Sequence, residues 1–141
     1  MANKIIEQSC IKRSRTKVAA NSTAVSVGDF VTMSGGFITS ASTTANIDGI
    51  AVQGKTYASD NQTVAKATLE YIVQDPTLVV RVAISGGTIT AADEGKFYSL
   101  GANAYTVDGT TESTKAGTLQ MIKFISATLA DFAIVNKTVT V

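Results

Sequence analysis

"FVTMSGGFITS", residues 30–40, consists of two short runs of β-prone residues that meet at Gly35-Gly36. A glycine pair tolerates positive φ at both central positions of a two-residue hairpin turn, so the stretch predicts two antiparallel strands folded back on each other. The same punctuation recurs at Asp48-Gly49, between Ile47 and Ile50, and at Asp108-Gly109 after "AYTV". Turns repeated in this way argue against helix in these regions.

Further along, "TLVVRVAIS" (77–85) alternates with a period of two. Leu78, Val80, Val82 and Ile84 fall on one face while Val79, Arg81 and Ala83 fall on the other, which is the pattern of a half-buried strand. The preceding "ATLEYIVQDP" predicts a strand ended by Pro76, whose missing N–H would break a central ladder, so Pro76 marks a corner. Gly86-Gly87 opens another turn. "TAADEGK" (90–96) predicts a single helical turn with Thr90 as its cap, Asp93 in the capping-box position and Gly95 as its stop. "GTLQMIKFIS" and "DFAIVNKTVTV" predict two closing strands, with Leu119, Met121 and Ile125 alternating in the first and Phe132 with Ile134 in the second.

Together these signals predict an all-β fold of roughly nine to eleven strands, at the spacing of about ten residues found in small barrels and sandwiches. No crossover helix is present to support a parallel sheet. Residues 18–68 and 69–141 read as two β lobes, or as two halves of one domain, meeting in the polar stretch "SDNQTVAKAT".

Charge divides the chain differently. Residues 1–17 carry Lys4, Lys12, Arg13, Arg15 and Lys17 against Glu7, a balance of +4, whereas residues 18–141 hold seven basic and ten acidic groups, a balance of −3. The sequence therefore reads as a basic, extended N-terminal arm on a mildly acidic body. Charged residues make up 16% of the 141, against roughly 25% in typical soluble domains, and 45% of the residues are apolar, enough for a core. The opening residues lack the apolar stretch of a signal peptide, and no run approaches the ~20 apolar residues of a membrane span. The expectation is a protein made in the cytosol that has no membrane partner.

The composition also narrows the chemistry. Histidine is absent, which removes the usual general base near neutral pH and the commonest zinc ligand together. Cys10 is the single cysteine, so it has no partner for an internal disulfide, and without histidine it lacks the usual activator of a thiol nucleophile. Asp93-Glu94 is an adjacent acidic pair, but neighbours diverge on strands and on helical turns alike, so a solvated turn is the better reading. Asp29, Asp48 and Asp108 each touch a glycine in sequence and read as turn aspartates. No calcium-loop spacing is present, and the glycine pairs lack the spacing of a phosphate loop. No catalytic residue, cofactor or metal is predicted.

"KRSRTK", Lys12 to Lys17, is the one segment with binding potential. Its cations could meet nucleic-acid phosphates, form a solvated tail, or dock on an acidic protein surface. The absence of interleaved aromatics and the acidic body disfavour nucleic acid, and opposite charges steer protein association, so docking is preferred.

The stretch "SVGDFVTMSGGFITSASTTANIDGIAVQG" is similar to the N-terminal pattern of tailed-bacteriophage capsid decoration, or cement, proteins: a V-x-x-G-D-x-V strand, a glycine turn and an I-x-G-[IV]-A strand. Val25, Gly28, Asp29 and Val31 carry the first part of the match, and Ile47, Gly49, Ile50 and Ala51 the second. The "AD-x-GK" and "VDG" turns in residues 70–109 resemble the second half of such proteins. The resemblance implies a small β-barrel or β-sandwich (β-tulip-like) body without catalysis or cofactor. It further implies attachment to the outer surface of an icosahedral head, where the protein would contact the major capsid protein and bridge capsomers, commonly as a homotrimer. On that plan the arm would contact the capsid through Ile5, Ile6 and Ile11 as apolar anchors and Lys12, Arg13, Arg15 and Lys17 as charges, and would become ordered on binding. The alternative is a virion surface module that recognises carbohydrate or another host ligand. For that role the sequence offers four tyrosines and five phenylalanines but no tryptophan.

Overall fold

A computed structural model describes residues 3–7, 13–41, 46–75, 77–110 and 117–137. Among these the protein is built of β-strands, with one π-helical turn at Asn61–Ala65 and one 3-10 turn at Ala91–Asp93. The strands are β1 (Lys4–Glu7), β2 (Ser14–Val18), β3 (Ala24–Val25), β4 (Phe30–Ser34), β5 (Phe37–Ser40), β6 (Gly49–Ala51) and β7 (Lys55–Thr56), followed by β8 (Thr68–Val73), β9 (Val79–Ser85), β10 (Phe97–Tyr98), β11 (Thr106–Asp108), β12 (Gly117–Ser126) and β13 (Leu129–Lys137). The all-β expectation holds. The strands beyond the nine to eleven expected include two-residue pairs such as β3 with β7, which are too short to show a period.

The predicted hairpin is β4 and β5. Gly35 and Gly36 have φ of 58° and 87°, both in the left-handed region, and Ser34 faces Phe37 across the turn. These strands form one end of a five-stranded sheet in the order β2-β8-β6-β4-β5. Phe30, Ile50 and Ile72 stand opposite one another on three adjacent strands and enter the main apolar cluster. Their neighbours Val31, Ala51, Leu69 and Tyr71 point to the other face and form a second cluster with Ala19, Ile38 and Tyr57. A single bridge between Ala19 and Ile38 brings the end of β2 beside β5, so the sheet curls around this second cluster without a ladder closing it.

A six-stranded sheet, β1-β9-β13-β12-β10 with β11 added to β9, supplies the opposite wall of the main cluster. Ile5, Val80, Phe132 and Met121 lie in register across four strands. The last three are fully buried, and Ile5 packs against them. Tyr98 meets the Phe132 ring edge-on at 6.0 Å. Burying each large side chain of this kind contributes about 1.5–3 kcal/mol, so the interface between the two sheets is the main source of stability.

Several features depart from the sequence reading. Asp48-Gly49 is not a turn: Gly49 begins β6, and a Cβ there would run into the carbonyl oxygen of Ile72 and stand 2.7 Å from the Tyr71 ring. Glycine is required at this position by close approach rather than by φ. The sheet is not wholly antiparallel, because β11 pairs with β9 in parallel register. Residues 86–105, with β10 and the 3-10 turn, make the crossover without the helix whose absence had argued against parallel pairing. The 68/69 lobe boundary falls just inside β8, which pairs with β2 and β6, and the main cluster draws on both halves of the chain.

The alternation assigned to Leu119, Met121 and Ile125 also breaks. Register shifts between Met121 and Lys123, and again between Phe124 and Ser126, insert one extra residue each, Ile122 and Ile125. The first bulge reverses the parity of the strand, so Phe124 packs on the core and Ile122 is 45% exposed. Pro76 and Cys10 lie outside the described residues.

Candidate functional site

The described parts of the N-terminal segment are strand, paired to the body at two separate places. β1 lies antiparallel to β9, and β2 lies antiparallel to β8 in the other sheet, from Ser14 opposite Ile72 to Val18 opposite Thr68. Beyond the strand, the Val73 N–H donates to the Arg13 carbonyl at 2.9 Å. An arm standing apart from the body is therefore not what these residues form. Backbone pairing at a sheet edge needs no apolar pattern, which is why charge alone gave no sign of it.

This pairing divides the predicted contact residues. Ile5 turns into the main cluster and anchors β1 from inside. Ile6 lies on β1 next to it, while Ile11 and Lys12 lie outside the described residues. Arg13, Arg15 and Lys17 are all exposed and two residues apart, so they share one face at about 6.8 Å per step. Arg15 stands opposite Tyr71 and Lys17 opposite Leu69, whereas Glu70 faces Thr16 and so belongs to the other side. The three cations form an unbroken positive row along an edge strand.

Most of the described acidic side chains are engaged in the body's own structure. Asp29 accepts the Ser26 N–H at 2.9 Å, and Asp48 accepts the Met33 N–H at 2.7 Å. Asp108 accepts the Thr110 N–H at 2.8 Å. Asp93 accepts the Thr90 N–H and Lys96 Nζ, each at 2.8 Å, which completes the expected turn and holds its carboxyl below the ordinary aspartate range, the lysine contributing most. Its neighbour Glu94 points elsewhere and accepts the Phe124 N–H at 2.8 Å. Asp93 thus serves its own turn and Glu94 serves β12, and the adjacent acidic pair shares no site.

A second charged arrangement lies on the outer face of the six-stranded sheet. Lys4, Arg81, Asp131 and Lys123 stand in register on β1, β9, β13 and β12. Asp131 is 3% exposed and accepts Arg81 Nε at 2.8 Å and Nη2 at 3.2 Å. This hydrogen bond raises the guanidinium pKa above its already high value. The one hint in the sequence was Arg81 itself, a charge in the middle of an apolar strand.

Two buried amides were missed altogether. Asn61 is fully buried and donates to the carbonyls of Ala19 and Ala67 while accepting the Ala67 N–H. Asn136 binds the backbone of Ile47. Of the nine aromatic side chains, Tyr105 at 40% is the one exposed beyond the half-buried class, and burial pushes the Tyr57 hydroxyl pKa up. No group of three side chains suited to a metal occurs among the described residues. No protein-family model matches the chain, and no curated protein matches it.

Proposed function

We propose that the protein is a structural virion component that binds the outer surface of an icosahedral phage head and stabilises it by bridging capsomers. The observation that carries this reading is the row Arg13, Arg15 and Lys17: three exposed cations fixed by backbone pairing on a body most of whose described carboxylates are held by its own turns and strands. Such a body offers a rigid adhesive surface, and the resemblance of residues 25–54 and 70–109 to decoration proteins supports the same reading. The partner is the major capsid protein, through acidic patches on its exterior.

The energetics favour a repeated contact. Exposed ion pairs contribute about 0.2–1 kcal/mol each, so three of them give one copy only weak affinity. A homotrimer would engage three such rows at once, and avidity of about 10²–10⁴ converts weak contacts into stable occupancy. Binding only the assembled shell stabilises that state by mass action.

Deleting residues 2–17 would also remove two edge strands, so charge reversal is the cleaner test. The variant Arg13→Glu/Arg15→Glu/Lys17→Glu is mixed with undecorated heads and sedimented. Occupancy is expected to fall at least about tenfold, and wild-type occupancy to fall with added salt. Full occupancy by the variant would overturn the reading. The carbohydrate alternative has a single exposed aromatic, Tyr105, on which a sugar could stack.

A further inference from the structure

We propose that the outer row Lys4, Arg81 and Lys123 is a second docking surface, for the carboxylates of an acidic protein segment, and that occupying it fastens β1 to the body. Lys4 and Arg81 are direct cross-strand partners on β1 and β9. Side chains so placed have Cβ atoms about 4.5–5.5 Å apart, and like charges there destabilise the pairing. The carboxylate that could offset them, Asp131, is buried, and it is engaged by two nitrogens of Arg81. Lys4 and Lys123 are exposed at the two ends of the row and have no ion pair among the described residues.

β1 is thus held by Ile5 and by backbone pairing against a repulsion that its own sequence introduces. Asp131 offsets Arg81 inside the fold, which leaves the charges of Lys4 and Lys123 to be met from outside. One carboxylate between Lys4 and Arg81 would turn the repulsion into attraction, and a second could reach Lys123. Ile122, 45% exposed in the bulge beside Lys123, adds an apolar contact of the kind found in protein interfaces. The described side chains of this face include no exposed aromatic for base stacking, which favours an acidic polypeptide over nucleic acid. Asp131, opposite Lys123 and paired with Arg81, is the acid of this row, and Glu94 is held by the Phe124 N–H.

The proposal extends the capsid reading but does not need a phage head for its test. The probe is poly-L-glutamate, titrated into the full chain at low and at physiological salt, with hydrogen exchange followed in β1 and at the β9 edge. Lys4→Glu is expected to weaken polyglutamate binding about three- to tenfold and, by placing an acid opposite Arg81, to slow exchange in β1 in the absence of probe. Lys123→Glu is expected to weaken binding similarly without slowing that exchange. In the wild type, polyglutamate itself should slow exchange in β1. Unchanged polyglutamate binding in both variants overturns the proposal, as does faster β1 exchange in Lys4→Glu or tighter binding of a DNA duplex than of polyglutamate at equal salt. Should polyglutamate binding survive the triple reversal on β2 while head binding is lost, the two surfaces are separate. If both variants lose polyglutamate binding yet decorate heads fully, this surface stands and serves a partner other than the head.

Discussion

Asn136 closes on Ile47 across 89 residues: its side-chain oxygen accepts the Ile47 N–H at 2.8 Å and its side-chain nitrogen donates to the Ile47 carbonyl at 2.9 Å. The amide takes the place of a strand neighbour for a residue that is itself fully buried. Asn136 reaches this position in the left-handed conformation, φ 47°, where β13 carries an irregular register opposite β12. Asparagine adopts that conformation more readily than most residues.

Asn136→Ala removes both hydrogen bonds, leaves two buried backbone groups of Ile47 without partners and keeps the backbone strain. The expected loss is about 2–4 kcal/mol, read as a lower urea midpoint at constant m-value. Asn136→Gly relieves the strain but not the lost bonds and should lie between the wild type and the alanine variant. Equal midpoints for all three proteins would mean that the clasp contributes nothing.

Gly49→Ala and Gly95→Ala test two different demands for glycine. At Gly49 the new methyl group meets the Ile72 carbonyl and the Tyr71 ring, so the second cluster must shift, at an expected cost of about 3 kcal/mol or more. At Gly95, φ is 91° and no atom lies within 4 Å of the added Cβ, so only backbone strain remains, about 1–2 kcal/mol. Thermal unfolding of the two variants should rank them in that order.

Arg81→Leu strands the buried carboxylate of Asp131. The arginine side chain is 34% exposed and admits some water, so the expected cost is about 1–3 kcal/mol, below that of a fully enclosed pair. Replacing both residues by leucine should recover most of the loss. A double-mutant cycle measures the coupling, and a double variant no more stable than Arg81→Leu would contradict it.

Acid should weaken the turn at residues 90–96. Asp93 has its folded pKa below the ordinary value of 3.8, chiefly through Lys96 and then through the Thr90 N–H. Its contribution is therefore fully present above the unfolded value and disappears as pH falls through 3.8 toward the folded pKa. Urea midpoints for the wild type and Asp93→Asn should differ by a constant amount at neutral pH, about 0.5–1 kcal/mol, and converge below pH ~4. Curves that stay parallel down to pH ~2 would exclude this role.

The legible parts of the fold were those where local chemistry leaves few options. Gly35-Gly36 announced its turn because both residues take positive φ, and β9 announced its inner face because four apolar residues alternate without interruption. Bulges defeated the reading of β12, since one extra residue at Ile122 reverses the faces that follow until a second at Ile125 reverses them again. The placement of β1 and β2 was hidden because edge pairing rests on backbone groups that every residue carries. The candidate site was legible to the same degree. The cations Arg13, Arg15 and Lys17 stand out in the sequence, but the inward turn of Ile5 and the row through Lys4 depend on partners more than fifty residues away, which no local pattern encodes.

The position of β13 between β9 and β12 also has a consequence for biosynthesis. Arg81 and Asp131, on neighbouring strands, are 50 residues apart in the chain. At about 5–20 residues per second, a ribosome needs about 3–10 s to make the intervening segment. Throughout that interval β9 waits with a bare edge, an apolar template open to any nascent neighbour on the same message. A chain made in many copies at once is thus most vulnerable to mispairing before its own β13 emerges, and slower translation past residue 85 would lengthen that exposure.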